Sequence, residues 1–512
     1  MPTERFADIY QALEQKRPND VMSLIKTEIT EFPLQPQGWV FLGNALEMLN
    51  RPYEALSAYR RGWLLNPTAP WAESAMERLK DSEQAALDPW LVNALSVPSV
   101  SITAAIIARN EARCIARCLE SLQNAVDDIV VVDTGPTDDT KVIAGAHGAR
   151  VFDFEWNDDF AAARNFALAQ VKTEWVLWVD ADEWLDSEDM ENPRIAAGLF
   201  SQLDIPIILH VVQVNPLPAR TESAYDIPRM HPTGYGISWK RRIHEQLTPP
   251  PDLGAWPSPP AQVNIRLLHD GYDAAVIDRS SKLTRNIVLL RQSVLEDPDD
   301  ISAWGFLGRD LYHHDEYYEA IKAFEELESR VGPYLAYRQH RLPEMRTFYI
   351  AALISTGQFE AAHALALRGT QENPDYPIHW FDLGKLELRL LEMRLSNART
   401  AFQTADQTAK TWQGGTSLDP SIGRWRAKAG LGDVAKLSGN IIEAVRIYQA
   451  TYKSAPEAEP IRKSLITLRD NVIHYVPCSC SSPLPHPCPT LVLQCLLTSY
   501  STMLLNRRLK CA

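Results

Sequence analysis

Trp175-Val176-Leu177-Trp178-Val179 runs without a polar residue into Asp180-Ala181-Asp182-Glu183. An apolar, β-branched and aromatic run of this length predicts a central strand buried on both faces. Three carboxylates within the next four positions repel one another unless a cation lies among them. On extended backbone the i, i+2 pair Asp180 and Asp182 would point the same way. Oxygen donors of this kind suit Mg²⁺ or Mn²⁺, either of which would also bridge a diphosphate. The plain alternative is a solvated acidic loop.

Further strands are predicted at 99–107, 129–133 and 149–154, with helical patterns at 112–125 and 138–147 between them. Alternation of this kind means a parallel sheet covered on both faces, with its ligand at the carboxyl ends of the strands. Unusual residues fall there. The first strand leads into Arg109-Asn110-Glu111, and the second into Asp133-Thr134-Gly135-Pro136-Thr137-Asp138-Asp139-Thr140. A carboxylate before a glycine turn and a helix start capped by Thr137 or Asp138 can accept from a base or ribose while backbone amides face phosphate. Capping explains Thr137 and Asp138 but gives Asp133 no role.

Outside this region the pattern is a repeat. Trp39, Leu42, Gly43, Ala55, Tyr59 and Pro67 recur as Trp304, Leu307, Gly308, Ala320 and Phe324, and again as Leu431, Gly432, Ala444, Tyr448 and Pro456. Each unit reads as an antiparallel helix pair: glycine and alanine allow close approach, aromatics fill between, and proline ends the second helix. This is the tetratricopeptide pattern. Weaker copies join Ala362 with Pro374, and Trp380, Leu383 and Gly384 with Phe402, the last with two extra residues before Ala398.

Composition narrows the class. With 45% hydrophobic and 23% charged residues, neither wholesale disorder nor a multispanning membrane protein fits. A formal charge of −14 repels phosphate backbones, which argues against nucleic acid as a general partner. Cys114 and Cys118 stand early, and the other five of the seven cysteines fall beyond residue 477. The chain up to that point reads as reduced and cytoplasmic, with neither a secretory start nor a transmembrane run. Residues 476–512 match neither repeat nor sheet and are expected to be a disordered, foreign tail.

Four ordered segments carry a resemblance: Ile106-Ile107-Ala108-Arg109-Asn110-Glu111, Val131-Val132-Asp133-Thr134-Gly135-Pro136-Thr137-Asp138, Ala163-Arg164-Asn165 and Val179-Asp180-Ala181-Asp182-Glu183. Together they resemble the family 2 glycosyltransferases of GT-A fold, in the branch that carries tetratricopeptide repeats. The resemblance implies an α/β nucleotide-sugar-binding GT-A domain at 97–275, flanked by all-α repeat segments at 1–90 and 280–475. It implies a metal-dependent hexosyl- or N-acetylhexosaminyltransferase, taking its sugar from a UDP-linked donor to an acceptor glycan, peptide or protein by inverting displacement. The repeats would recruit the acceptor or a partner protein.

Carried over by position, Arg109, Asn110, Glu111 and Asp133 would contact base or ribose. Arg164 and Asn165 would line the donor site, and Asp180 would contact the donor's ribose or sugar. Asp182 would hold Mn²⁺ or Mg²⁺ on the diphosphate, with His269 of Leu268-His269-Asp270-Gly271-Tyr272 completing that site. Arg242-Ile243-His244-Glu245 resembles the branch's R-x-H-E segment, which makes Glu245 the general base and His244 the second candidate. A surface ion pair for Glu245, a packing role for His269 and an Arg164 bridge to Asp158 or Asp159 are the structural alternatives. The Pro-rich stretch 248–260 is expected to be a lid. Pro136 and Asp139 depart from the family's serine and glycine, so a non-catalytic repeat scaffold with a degenerate sugar-nucleotide site is the alternative function. A nucleotidyltransferase would need a glycine-rich loop, which Ala108-Arg109-Asn110-Glu111 lacks.

Overall fold

The computed structural model describes residues 4–135, 137–217, 220–269, 279–332, 341–411 and 419–475. Pro136, Asp270, Gly271, Tyr272 and the tail 476–512 lie outside them. The chain forms two compact units, Met1–Glu316 and Tyr317–Ala512.

The first unit opens with six helices: α1 (Ala7–Glu14), α2 (Pro18–Glu31), α3 (Pro36–Met48), α4 (Pro52–Leu64), α5 (Ala72–Leu79) and α6 (Pro89–Leu95). Four of them begin on a proline, whose fixed φ suits a first turn and whose missing N–H would have had no helical partner there. Trp39 is fully buried between them, and a side chain at Gly43 would overlap the Tyr59 ring. The repeat thus closes as expected.

The sheet follows, from β1 (Ile102–Ala108), β2 (Asp128–Asp133), β3 (Arg150–Asp153), β4 (Trp175–Trp178), β5 (Glu183–Leu185), β6 (Leu209–Leu217), β7 (Arg220–Pro232) and β10 (Ala261–His269), while β8 (Ser238–Lys240) and β9 (Gln246–Thr248) form a separate ribbon. Its order is β3-β2-β1-β4-β7-β6-β10-β5. The half built from β3, β2, β1 and β4 is parallel, β7 is antiparallel to β4 and β6, and β10 runs parallel to β6. Alternate residues of β1 point to opposite faces. Ile102, Ala104, Ile106 and Ala108 join a core with α7 (Ile115–Leu122), α10 (Asn192–Phe200) and Leu64. Ala105 faces Trp178, Ala161, Ala167 and the β8–β9 ribbon, under α9 (Phe160–Leu168). Helix α8 (Thr140–Ala146) follows β2, and the unit ends with α11 (Arg279–Glu296) and α12 (Ile301–His313).

The second unit is helical: α13 (Tyr317–Val331), α14 (Leu342–Ser355), α15 (Phe359–Glu372), α16 (Pro377–Thr411), α17 (Ala427–Leu437), α18 (Ile441–Ser454) and α19 (Glu459–Tyr475). Repeat equivalence is visible in one bond: the indoles of Trp39, Trp304 and Trp380 donate to the carbonyls of Pro33, Pro298 and Pro374 at 2.8, 2.8 and 2.9 Å. One expectation fails. The pair predicted around Trp380 and Phe402 is the single 35-residue helix α16, because 385–411 contains neither glycine nor proline to turn the chain. Other hairpins turn on a left-handed residue, such as Asn50, Gly357 and Gly439.

Candidate active site

The parallel strands deliver their carboxyl ends to one edge, with Asp133 in register with Ala108 of β1. Asp133 is buried, and Gly135 N–H donates to its Oδ1 at 3.1 Å. Its Oδ2 is buried without a hydrogen-bond partner among the described residues. Burial pushes its carboxyl above the ordinary range, against the pull of the Gly135 amide. The neighbouring loops are stitched together. Asn110, at φ 60°, accepts from Thr137 N–H at 2.7 Å; Glu111 N–H donates to Thr140 Oγ1 at 2.7 Å; Asp138 accepts from the N–H groups of Ala112 and Thr140, both at 3.0 Å. Asp138, one residue before the α8 N-cap Asp139, therefore ties the start of that helix to the β1 loop, while Arg109 and Asn110 are exposed. Glu111 is raised by burial and also feels the charge of Asp182.

The acidic segment after β4 is a turn, closed by Glu183 N–H to Asp180 O at 2.9 Å. The extended geometry expected for Asp180 and Asp182 is thereby corrected, and the three carboxylates separate. Asp180 receives Arg164 Nη2 at 3.0 Å and both terminal nitrogens of Arg229 at 3.2 and 2.5 Å. Glu183 points into the sheet, fully buried, and accepts from Arg229 Nη2 at 2.8 Å and Gln213 at 2.6 Å. Burial alone would raise the Asp180 carboxyl, but Arg229 and Arg164 outweigh it and hold the group well below the usual range. Two guanidinium groups thus supply much of the positive charge that the sequence pattern demanded. Arg229 was missed because β6 and β7 were not read as strands. Its signal is a single arginine in Ile227-Pro228-Arg229-Met230, at the buried end of β7.

Asp182 turns to the other side, where His269 Nε2 stands 3.2 Å from its Oδ2. Pairing of β10 with β5 sets this contact, since His269 is in register with Glu183. His269 Nδ1 lies 2.9 Å from Asn215 Oδ1. Burial disfavours the imidazolium, but the Asp182 hydrogen bond and charge prevail and raise its pKa.

Arg164, almost fully buried on α9, sits at the centre: Nε donates to Glu245 Oε1 at 2.6 Å while Nη2 reaches Asp180. Its guanidinium lies 4.9 and 5.4 Å from the ring centroids of Trp239 and Trp178. Asp159, the sequence alternative for pairing, instead caps α9 through Ala162 N–H at 2.9 Å. Asn165 spends both ends of its amide on the Trp239 backbone, at 2.9 and 2.8 Å, and so fixes β8 against α9. His244 faces away from Arg164. It stacks on Phe306 of α12 with centroids 4.3 Å apart, and Arg309 donates to its Nε2 at 3.1 Å. The structure therefore joins Arg164, Asp180 and Glu245 directly, joins Asp182 to His269, and directs His244 to α12. A cavity of about 330 Å³ lined by Lys172, Thr173, Phe200 and Tyr235 lies at the opposite, amino-terminal edge of β4 and contains none of these residues.

A mixed sheet in this order, with carboxylates and arginines gathered at the parallel carboxyl edge, is a GT-A-like arrangement. Residues 103–192 match Glycosyl transferase family 2, and the helices outside that stretch fit tetratricopeptide repeats. A TPR repeat-containing protein of Synechococcus elongatus is 30% identical over 225 residues, 42% of this chain and 53% of that protein. The SPbeta prophage-derived glycosyltransferase SunS of Bacillus subtilis is 26% identical over 272 residues, 52% and 61% of the two chains. The chain thus spans little more than half the length of these relatives. Among solved structures, S. aureus TarS 1-349 aligns at 14% identity over 57% of this chain and 91% of that one, with a TM-score of 0.28. Glucosyl-3-phosphoglycerate synthase from Mycobacterium tuberculosis, in complex with Mn²⁺, UDP and glucosyl-3-phosphoglycerate, aligns at 22% identity over 25% and 50% of the chains, with a TM-score of 0.19. No helix among the described residues is long and apolar enough to cross a membrane.

Proposed function

We propose that the chain transfers a hexosyl or N-acetylhexosaminyl group from a UDP-linked donor to an acceptor hydroxyl on a glycan, peptide or protein, with inversion, in the cytoplasm. The observation that carries this reading is the Arg164 fork, which ties the acidic turn to Glu245. The acceptor oxygen attacks the anomeric carbon, the bond from that carbon to the diphosphate breaks, and Glu245 takes the acceptor's proton. With Oε1 engaged by Arg164, Oε2 is the oxygen this reading gives the acceptor. Arg164 Nη1, buried and without a hydrogen-bond partner among the described residues, is a donor for the leaving diphosphate. Asp133 Oδ2 is the matching acceptor for base or ribose.

For the cation, no group of three or more His, Cys, Asp or Glu side chains converges among the described residues. Asp182 and His269 offer one oxygen and one nitrogen, which fits an ion that takes only one or two protein donors and fills its shell with diphosphate and water. Asn215 against Nδ1 orients the imidazole so that Nε2 faces Asp182, the supporting contact such ligands need. Bound there, Mn²⁺ or Mg²⁺ would neutralise charge developing on the leaving diphosphate.

The test is release of nucleotide from a panel of nucleotide-sugars with Mn²⁺ or Mg²⁺, for the wild type and Asp182→Ala. Metal-dependent release from one UDP-sugar, lost in the variant, is expected. Release from none, with no nucleotide binding, overturns the reading.

A further inference from the structure

The connection between β8 and β9, residues 241–245, is held from outside by three of its side chains. Arg241 Nε pairs with Asp300 Oδ2 at 2.5 Å. Arg242 forks onto Glu296 at 2.8 and 2.7 Å. His244 stacks on Phe306 and accepts from Arg309, which Asp310 grips in turn at 3.0 and 2.8 Å. Every one of these partners lies on α11, on α12 or at the α12 N-cap. The next residue, Glu245, turns the opposite way, to Arg164.

The backbone shows how one short segment faces two ways. Arg241 and His244 stand at φ 80° and 51°, a left-handed conformation uncommon for side chains with a Cβ. Phe160 N–H donates to Arg242 O at 2.8 Å, docking the segment on the first turn of α9, the nine-residue helix that also carries Arg164. The connection is therefore clamped between α9 and the α11–α12 pair, and Glu245 is the residue whose direction that clamp sets.

We infer that α11 and α12 position Glu245, with Asp300, Glu296 and the Phe306–Arg309–Asp310 cluster as positioning residues. The first repeat-like helices after the sheet then act on turnover, and not solely on capture of an acceptor. This rests on the reading of Glu245 as the base. Misplacing a reacting group by about 1 Å costs on the order of a hundredfold in rate, so a loosened clasp lowers kcat while leaving donor affinity alone.

The experiment uses the full chain. Asp300→Asn keeps an N-cap acceptor for Ser302 and Ala303 while discharging the Arg241 pair; it is combined with Arg242→Gln. Read-outs are amide hydrogen exchange across 241–246, and kcat and KM for UDP release from the UDP-sugar that the wild type turns over fastest with Mn²⁺. Faster exchange, a kcat lower by about tenfold or more and a donor KM within about twofold are expected. The exchanged pair Arg242→Glu with Glu296→Arg should recover kcat relative to Arg242→Glu alone. Unchanged exchange, unchanged kcat despite faster exchange, or a KM change as large as that in kcat overturns the inference. Glu245→Gln separates the two readings. If it retains wild-type kcat, the base assignment fails; if it is inactive while the clasp variants turn over normally, only the positioning role fails.

Discussion

Arg229 grips Asp180 with both terminal nitrogens from a strand 49 residues further along the chain. The same Nη2 also reaches Glu183 at 2.8 Å, so one guanidinium serves two carboxylates of the acidic turn. Arg229 and Glu183 are both buried, and removing one partner of a buried pair leaves the other charge uncompensated.

Arg229→Met should therefore lower unfolding stability by about 3–5 kcal/mol. Adding Glu183→Gln should recover part of that loss, because the stranded charge goes with it. Urea unfolding of the two variants checks this, and a loss below about 1 kcal/mol for the single variant would contradict the uncompensated-charge argument.

Arg164→Lys separates charge from geometry. A lysine at this position retains a positive charge but cannot span Asp180 and Glu245 with fixed, diverging donors. Nucleotide release should fall about a hundredfold as Glu245 loses its orientation, with the fold retained by circular dichroism. A variant that releases nucleotide at the wild-type rate would mean that the fork has no part in turnover.

Much of the sheet's parallel half was legible because each strand is an apolar run that ends abruptly in polar residues, as Trp178 and Val179 give way to Asp180. The repeats were legible because Gly43 and Tyr59, or Gly432 and Tyr448, must meet for two helices to close. What was hidden is non-local. Nothing near Asp180 in the chain announces Arg229, and a two-residue excess before Ala398 reads equally as a longer turn or as no turn. Asn165 shows a subtler limit: motif position suggests a donor contact, whereas both ends of its amide hold β8.

The glycines distinguish a closed repeat from an open one. A Cβ at Gly43 or Gly432 would fall on a tyrosine ring, while one at Gly384 meets nothing within 4 Å. Gly43→Ala and Gly432→Ala should destabilise by about 1–3 kcal/mol through overpacking. Gly384→Ala, inside the uninterrupted helix α16, should stabilise by roughly 0.5–1 kcal/mol through reduced chain entropy. Thermal unfolding of the three variants tests the contrast, and a loss for Gly384→Ala as large as the others would mean that its face is covered.

His231 gives a pH signature. It is fully buried on β7, with Trp178 Nε1 donating to its Nε2 at 3.1 Å and its Nδ1 2.9 Å from Pro232 O. That arrangement uses the neutral ring, with the proton on Nδ1. Burial lowers its pKa from 6.5 to about 4, only partly opposed by the Pro232 carbonyl. In the unfolded chain the ring protonates near 6.5, so below that pH the unfolded state binds a proton that the folded state refuses. This contribution is therefore fully present above pH 6.5, declines as pH falls, and is lost by about pH 4. Its full size is about 3 kcal/mol. His231→Gln, which retains an acceptor for Trp178 but does not titrate, should be less stable than the wild type at pH 7.5 and draw level with it or pass it near pH 4. Chemical unfolding of both proteins across that range measures the difference directly, and parallel stability curves would show that His231 does not titrate on unfolding.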